Sequence, residues 1–474
     1  MQHVTHRRPV WVSLVTAMLL AVAASSAPSA TDQPKVETLK VPTFGTVTLY
    51  HATTPPQQVV LFISGDGGWN LGVVSMAEQL RQAGALVVGI DIRSFMKSLE
   101  ASSGCAYPAG ALEELSRAVQ LRLKLPAYTR PILVGYSSGA TLVYAALAAA
   151  PPETFAGAVS LGFCPDLEIR APLCQMRGLH TSRRPKGLGY DLAPYSRSEV
   201  PWMVLQGDLD QVCGPQETRA FVASTGSARL FALPKVGHGF GVPTNWQREF
   251  LDAYHTIANR VSTLDVPRGA APAVADLSLV EVPATGARVS DTMAVLLSGD
   301  GGWADIDKHL AEGLSAAGVP VVGWSSLEYY WTPRSPEQAS ADLVRIVNHY
   351  TETWKRSRVI VVGYSFGADV SPFLVNRLSG PARAQVVRVA LLGPSPQAAF
   401  AFHLASWFGG GDEQLHPTRP EIDRLEVPVS CVSAADDADS VCRATGNRLV
   451  RAAIVGAGHH FGGEYDRLVD LILQ

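Results

Sequence analysis

Short apolar runs alternate along the chain with longer segments in which apolar residues recur every three or four positions. Residues 58–63, 85–90, 131–134, 156–161, 202–206 and 228–233 read as buried strands, with helices expected over 77–82, 109–123 and 140–149. The succession of strands returns at 293–297, 320–323, 358–362, 387–392, 427–432 and 452–455. These runs of Val, Ile and Leu lack polar alternation, so both faces of each strand must be covered, which implies a mostly parallel sheet flanked by helices. The pattern therefore predicts an α/β architecture built twice.

Motifs repeat in the same order as the strands. Ile63-Ser64-Gly65-Asp66-Gly67-Gly68-Trp69 returns as Leu297-Ser298-Gly299-Asp300-Gly301-Gly302-Trp303, and Val134-Gly135-Tyr136-Ser137-Ser138-Gly139-Ala140 as Val362-Gly363-Tyr364-Ser365-Phe366-Gly367-Ala368. Asp210-Gln211-Val212-Cys213 is matched by Asp439-Ser440-Val441-Cys442, and Gly237-His238-Gly239-Phe240 by Gly458-His459-His460-Phe461. Four motifs in one order, each about 230 residues from its copy, mean a duplication. The expected units are 36–262 and 276–474, joined by a linker over 263–275 that is rich in Pro, Gly and Ala.

Composition narrows the class. With 474 residues the length alone allows two to four domains, and the repeat reduces this to two. A hydrophobic content of 47% with 17% charged residues excludes disorder, collagen and coiled coil. The net charge is −3, without a long basic run, so no nucleic-acid partner is expected. At the N-terminus, His6, Arg7 and Arg8 precede an apolar stretch over 10–24 and small residues over 23–30. That is the layout of a signal peptide spanning 1–30 with cleavage near 24–30. The apolar stretch is short for a bilayer span of about 20 residues, which ranks an uncleaved membrane anchor second. The mature chain is therefore expected outside the cytosol, where disulfides form.

Of the six cysteines, Cys431 and Cys442 are the one pair the second half offers. The first half holds Cys105, Cys164, Cys174 and Cys213 and allows three arrangements, of which Cys164 with Cys174 is the expected start. Neither CxxC nor HExxH occurs, and the glycine turns lack the Lys-Ser/Thr of a phosphate loop, so no metal and no cofactor is expected.

The chemistry lies in the Gly-x-Ser-x-Gly runs. Each follows an apolar strand and precedes a helical stretch, the setting of a sharp turn that lifts a Ser hydroxyl above the sheet. Such a Ser needs a base and an orienting acid, in the chain order Ser, acid, His, each at the end of a later strand. Ser365, Asp439 and His459 fit this order in the second half, and Ser137, Asp210 and His238 form a second candidate triad in the first. The Ser-to-acid spacing is almost the same in both halves for Asp439, which selects it over Asp437. Oxyanion donors are expected from the backbone of Phe366 and from the glycine turn at Gly301 and Gly302. Asp66 and Asp300 are expected to brace those turns and Asp369 to support the site from behind, while Tyr329-Tyr330-Trp331 either lines a groove or packs. A Cys431–Cys442 bridge closes a loop of about 12 residues around Asp439, worth on the order of 3 kcal/mol.

At these residues the chain resembles the AcvB/VirJ family of bacterial virulence proteins. Carrying the likeness are the export signal, the doubled Ser-Gly-Asp-Gly-Gly-Trp turn, the run from Gly363 to Asp369, and Gly458-His459-His460-Phe461. The resemblance implies two tandem α/β-hydrolase-like domains, the long AcvB form, with the second unit sufficient for activity. It also implies a periplasmic serine esterase that hydrolyses aminoacyl-phosphatidylglycerol, lysyl or alanyl, through Ser365, Asp439 and His459. The implied partner is the aminoacylated phospholipid, reached by peripheral contact with the inner membrane. The first unit departs from the family pattern, with Ser138 in place of Phe366 and Thr141 in place of Asp369. The competing reading is a periplasmic adaptor that contacts a secretion-system protein and uses the hydrolase fold only for binding.

Overall fold

The structure, a computed structural model, describes residues 1–2, 36–101, 104–151, 153–264, 273–287, 291–402, 415–437, 440–443 and 445–474. The expected signal peptide and most of the expected linker lie outside the described residues, as does Asp439.

The first half contains β1 (Val36–Val41), β2 (Gly45–Tyr50), β3 (Gln58–Ile63), α1 (Leu71–Gln82), β4 (Ala85–Ile90), α2 (Ile92–Glu100), α3 (Pro108–Arg122), β5 (Ile132–Tyr136), α4 (Ser138–Ala149) and β6 (Gly157–Leu161). An excursion of three short strands follows, β7 (Asp166–Leu167), β8 (Thr181–Arg183) and β9 (Tyr190–Leu192), then β10 (Trp202–Gly207), α5 (Pro215–Ala223), β11 (Ala228–Leu233) and α6 (Gln247–Leu264). The second half contains β12 (Leu279–Val282), β13 (Thr292–Leu297), α7 (Asp305–Ala316), β14 (Val321–Trp324), α8 (Ser326–Tyr329), α9 (Pro336–Thr353), β15 (Arg358–Tyr364), α10 (Phe366–Asn376), α11 (Gly380–Gln385) and β16 (Val386–Leu392). Two short strands, β17 (Gln397–Ala398) and β18 (His416–Pro417), precede β19 (Val429–Ser433), β20 (Val450–Ile454) and a closing helix, Tyr465–Leu473.

Two sheets result, ordered β1-β2-β4-β3-β5-β6-β10-β11 and β12-β14-β13-β15-β16-β19-β20. From β4 and β14 onward the neighbouring strands of both are parallel. The chain is thus an α/β protein built from two tandem units, each a mostly parallel sheet flanked by helices. Antiparallel edges at β1, β2 and β12 were not signalled by the sequence, because half-exposed edge strands lack the unbroken apolar run that marks a central one. Residues 228–233 and 452–455, expected to be buried, belong to the opposite edge strands. Their side chains are largely half-buried or exposed, since each has a neighbouring strand on one side only.

Alternation within the central strands divides each core in two. Val59, Leu61 and Ile63 of β3 enter one hydrophobic cluster while Val60 and Phe62 enter the cluster on the other face. Met293, Val295 and Leu297 of β13 part from Ala294 and Leu296 in the same way. Each fully buried side chain of this size contributes roughly 1.5–3 kcal/mol. Helices α4 and α10 are buried along nearly their whole length, so the turns that start them are held between sheet and helix layers.

Cysteine pairing differs in part from expectation. Cys431 bonds Cys442, but Cys164 bonds Cys213, and Cys174 bonds Cys105. The expected Cys164–Cys174 bridge rested on nearness in sequence, whereas the sheet decides the partner. Cys164 and Cys213 follow the C-terminal ends of β6 and β10, which are adjacent parallel strands. Cys174 is instead drawn to the segment before α3, where the Ala106 N–H donates to the Pro172 carbonyl at 2.7 Å and the Cys174 N–H to the Ala106 carbonyl at 3.0 Å.

Candidate active site

Each Gly-x-Ser-x-Gly run turns from strand to helix within a single residue. Ser137 and Ser365 both take left-handed backbone angles, φ 56° with ψ −125° and φ 51° with ψ −118°. For a residue with a side chain this strain costs on the order of 1–3 kcal/mol, and it persists only where the surroundings enforce it. The glycines show how they do. A Cβ on Gly363 would strike the carbonyl of Gly367, and one on Gly367 would strike the carbonyl of Leu297. Helix and sheet therefore approach closely enough to hold the Ser above the strand ends, with its N–H donating to the Leu392 carbonyl at 2.8 Å.

In the first unit the structure brings together all three expected residues. Ser137 Oγ lies 2.9 Å from His238 Nε2, and His238 Nδ1 lies 2.9 Å from Asp210 Oδ2. Asp210 is buried, and its Oδ1 accepts the N–H groups of Val212 and Cys213, both at 2.9 Å, while Gln206 Nε2 donates to Oδ2 at 3.1 Å. Those donors hold the Asp210 side chain in place, and its contact with Nδ1 leaves His238 with Nε2 toward Ser137. Asp210, Cys213 and His238 also form the one compact trio of metal-ligand types among the described residues. The Cys213 sulfur is committed to its bridge with Cys164, so the trio has no thiolate to offer.

In the second unit Ser365 Oγ lies 2.7 Å from His459 Nε2. The His loop is tied down from two sides: Tyr364 Oη donates to the His459 carbonyl at 3.1 Å, and Asp436 Oδ1 accepts the Gly458 N–H at 2.7 Å. Tyr136 makes the corresponding bond to the His238 carbonyl at 3.0 Å. Burial raises the Tyr364 phenol, which keeps its proton on the donating oxygen. These tyrosines were missed in reading the sequence, although the Tyr-Ser pair was visible in both repeats.

The glycine turns lie against Ser137 and Ser365, but not as expected in every residue. A Cβ on Gly299 would come within 3.2 Å of the Tyr364 ring. Gly302, expected as an oxyanion donor, spends its N–H on the Gly299 carbonyl at 3.1 Å to close the turn. Gly301 faces the first unit, where the nearest atom to a Cβ placed on it is Glu113 Oε1 at 3.9 Å. Phe366 is the first residue of α10, so its amide precedes the first helical hydrogen bond.

Asp369 is buried behind the elbow and accepts the Ser395 N–H at 2.5 Å; burial pushes its carboxyl up to about 7. Thr141, its counterpart, donates to the Cys164 carbonyl at 2.7 Å, so both units fasten the helix after the elbow to the loop after the next strand. Tyr329, Tyr330 and Trp331 are buried and pack rather than line a groove. A cleft of about 330 Å³ opens beside His459, lined by the loop 393–396 and by Asp436 and Asp437.

Comparison with known sequences resolves the family. The model of the bacterial virulence protein VirJ matches residues 57–161 and 291–474. The chain belongs to the VirJ family. The second matched segment takes in the entire Ser365–His459 site, and the first reaches from β3 to the end of β6, past Ser137. No curated protein matches the chain. Solved structures similar to it include the esterase domain of a Rhodothermus marinus protein (17% identity, 48% of this chain and 96% of that one, TM-score 0.32). Others are a lidless α/β serine hydrolase from Xanthomonas campestris (21%, 50% and 96%, 0.31) and a thermophilic esterase from Thermogutta terrifontis (17%, 50% and 96%, 0.34).

Proposed function

We propose that this VirJ-family chain is an exported serine esterase of the periplasm that cleaves the aminoacyl ester of aminoacyl-phosphatidylglycerol, with the second unit as its catalytic centre. The observation that carries the reading is the 2.7 Å contact between Ser365 Oγ and His459 Nε2 at a strained elbow. His459 takes the Ser365 proton as Oγ attacks the ester carbonyl carbon, and Asp439 steadies the imidazolium. The oxyanion receives the Phe366 N–H. His459 then returns the proton to the departing glycerol oxygen of the lipid, and water, activated by the same imidazole, frees the amino acid from Ser365. Asp436 and Asp437, in the cleft beside His459, supply negative charge for the substrate's ammonium. The disulfides and the absence of a membrane-spanning helix among the described residues accord with an exported protein that meets its lipid by peripheral contact.

The test is release of amino acid from lysyl- and alanyl-phosphatidylglycerol in detergent micelles by the purified chain. Ser365→Ala should abolish it, and retained release would sink the assignment. A second reading draws on the complete relay of the first unit, around which Leu209, Val212 and Val242 are exposed. On that reading the first unit turns over lipid esters itself, and Ser137→Ala should lower release as much as Ser365→Ala. If neither substitution changes the biological function, the chain acts as an adaptor for a secretion-system protein.

A further inference from the structure

The two glycine turns are braced differently. In the first unit Ser138, next to the nucleophile, donates from Oγ to Asp66 Oδ1 at 2.7 Å, so elbow and turn fasten each other. Phe366 holds that place in the second unit and has no hydroxyl to donate. Asp300, the counterpart of Asp66, is gripped from outside its own unit: Arg117 Nη1, on α3 of the first unit, donates to the Asp300 carbonyl at 3.1 Å and to its Oδ2 at 3.0 Å. Arg117 is itself aimed by Glu113, whose Oε1 lies 2.9 Å from Nη2, and both side chains are largely buried.

Further contacts show which edges meet. Arg177 pairs with Asp305 at 2.7 Å, Lys308 with Glu153 at 3.0 Å, and Trp331 Nε1 donates to the Leu125 carbonyl at 2.8 Å. On the second unit these residues follow β13 and β14, at the strand ends where Ser365 stands. Leu125 and Glu153 precede β5 and β6, at the opposite edge of the first sheet from Ser137. Through these contacts the first unit lies against the Asp300 turn and the residues that follow β13 and β14 of the second.

We propose that Arg117 is a positioning residue for the second unit's reaction, holding the Asp300–Gly301 turn against Ser365 through the interface. The proposal rests on the reading of Ser365 as nucleophile. A turn released by about 1 Å costs up to a hundredfold in rate, and here tenfold is expected because the other contacts of the turn remain.

The experiment uses the full chain carrying Ser137→Ala, with p-nitrophenyl butyrate as probe. Removing Arg117 alone would strand a buried Glu113, so both are replaced, as Glu113→Leu with Arg117→Met, a buried-pair exchange that folds tolerate. Asp300→Ala is the second variant; its side chain is 58% exposed and its loss leaves the buried pair intact. Each is expected to lower kcat about tenfold, with KM and thermal midpoint near those of the parent. Adding Phe366→Ser to the double variant, which restores the Ser-to-Asp brace of the first unit, should recover kcat severalfold. A kcat within threefold of the parent in either folded variant, or no recovery with Phe366→Ser, overturns the proposal. Ser365→Ala in the same background separates the two ideas: persistent turnover there refutes the nucleophile assignment, whereas lost turnover with unaffected clamp variants refutes only the clamp.

Discussion

Replacing Asp369 by Asn should make the protein more stable, by an amount that depends on pH in a defined direction. Asp369 is 8% exposed and its Oδ1 accepts the Ser395 N–H, a bond that the Asn carbonyl can keep. Burial is the main cause of its rise from 3.8 to about 7, opposed by the Ser395 bond and reinforced by the negative charge of Asp300. Because the folded value lies above the unfolded one, the folded state binds the proton more tightly. The stabilisation this gives is complete below pH 4 and disappears as pH rises through 7. Asn does not titrate, so the advantage of Asp369→Asn over the parent should grow steadily from pH 4 to pH 7 and then level off. At about 1.4 kcal/mol per pH unit the ceiling is about 4 kcal/mol, and relaxation around the charged form brings the expected gain to about 2 kcal/mol. Urea denaturation at half-unit steps from pH 4.5 to 8.5 measures it. A stability difference that is flat across this range, or that shrinks as pH rises, refutes the assignment of a desolvated carboxyl at this position.

Tyr364→Phe removes the donor to the His459 carbonyl and should lower kcat about tenfold with little change in KM, measured as ester turnover. Joint replacement of Cys164 and Cys213 by Ala should destabilise the first unit by about 2–4 kcal/mol in urea and disturb His238 more than His459, since Cys213 donates its N–H to Asp210.

The repeat, the α/β class and the central strands were legible because they depend on local pattern: unbroken apolar runs, and small residues where a strand must turn sharply into a helix. Ser365 and His459 are 94 positions apart, yet the pairing could be read from order alone, because the strands that carry them are parallel and end at one edge. Disulfide partners were less legible. Cys164 and Cys174 are near in sequence, but β6 and β10 are neighbours in the sheet while β7 to β9 form a separate excursion between them. The expectation for Gly302 failed similarly, since a glycine run does not reveal which of its amides the turn itself consumes.

The sequence by itself determined what each unit is: local periodicity and turn chemistry specify a sheet, an elbow and a His loop, twice over. Only the tertiary structure decided what holds each site in place. Asp210 of the first is held by its own loop, whereas the glycine turn of the second is held by Arg117, 183 positions away. No periodic signal records such a contact, because it arises when two finished surfaces meet and a buried arginine finds there the carboxylate and carbonyl that its charge requires.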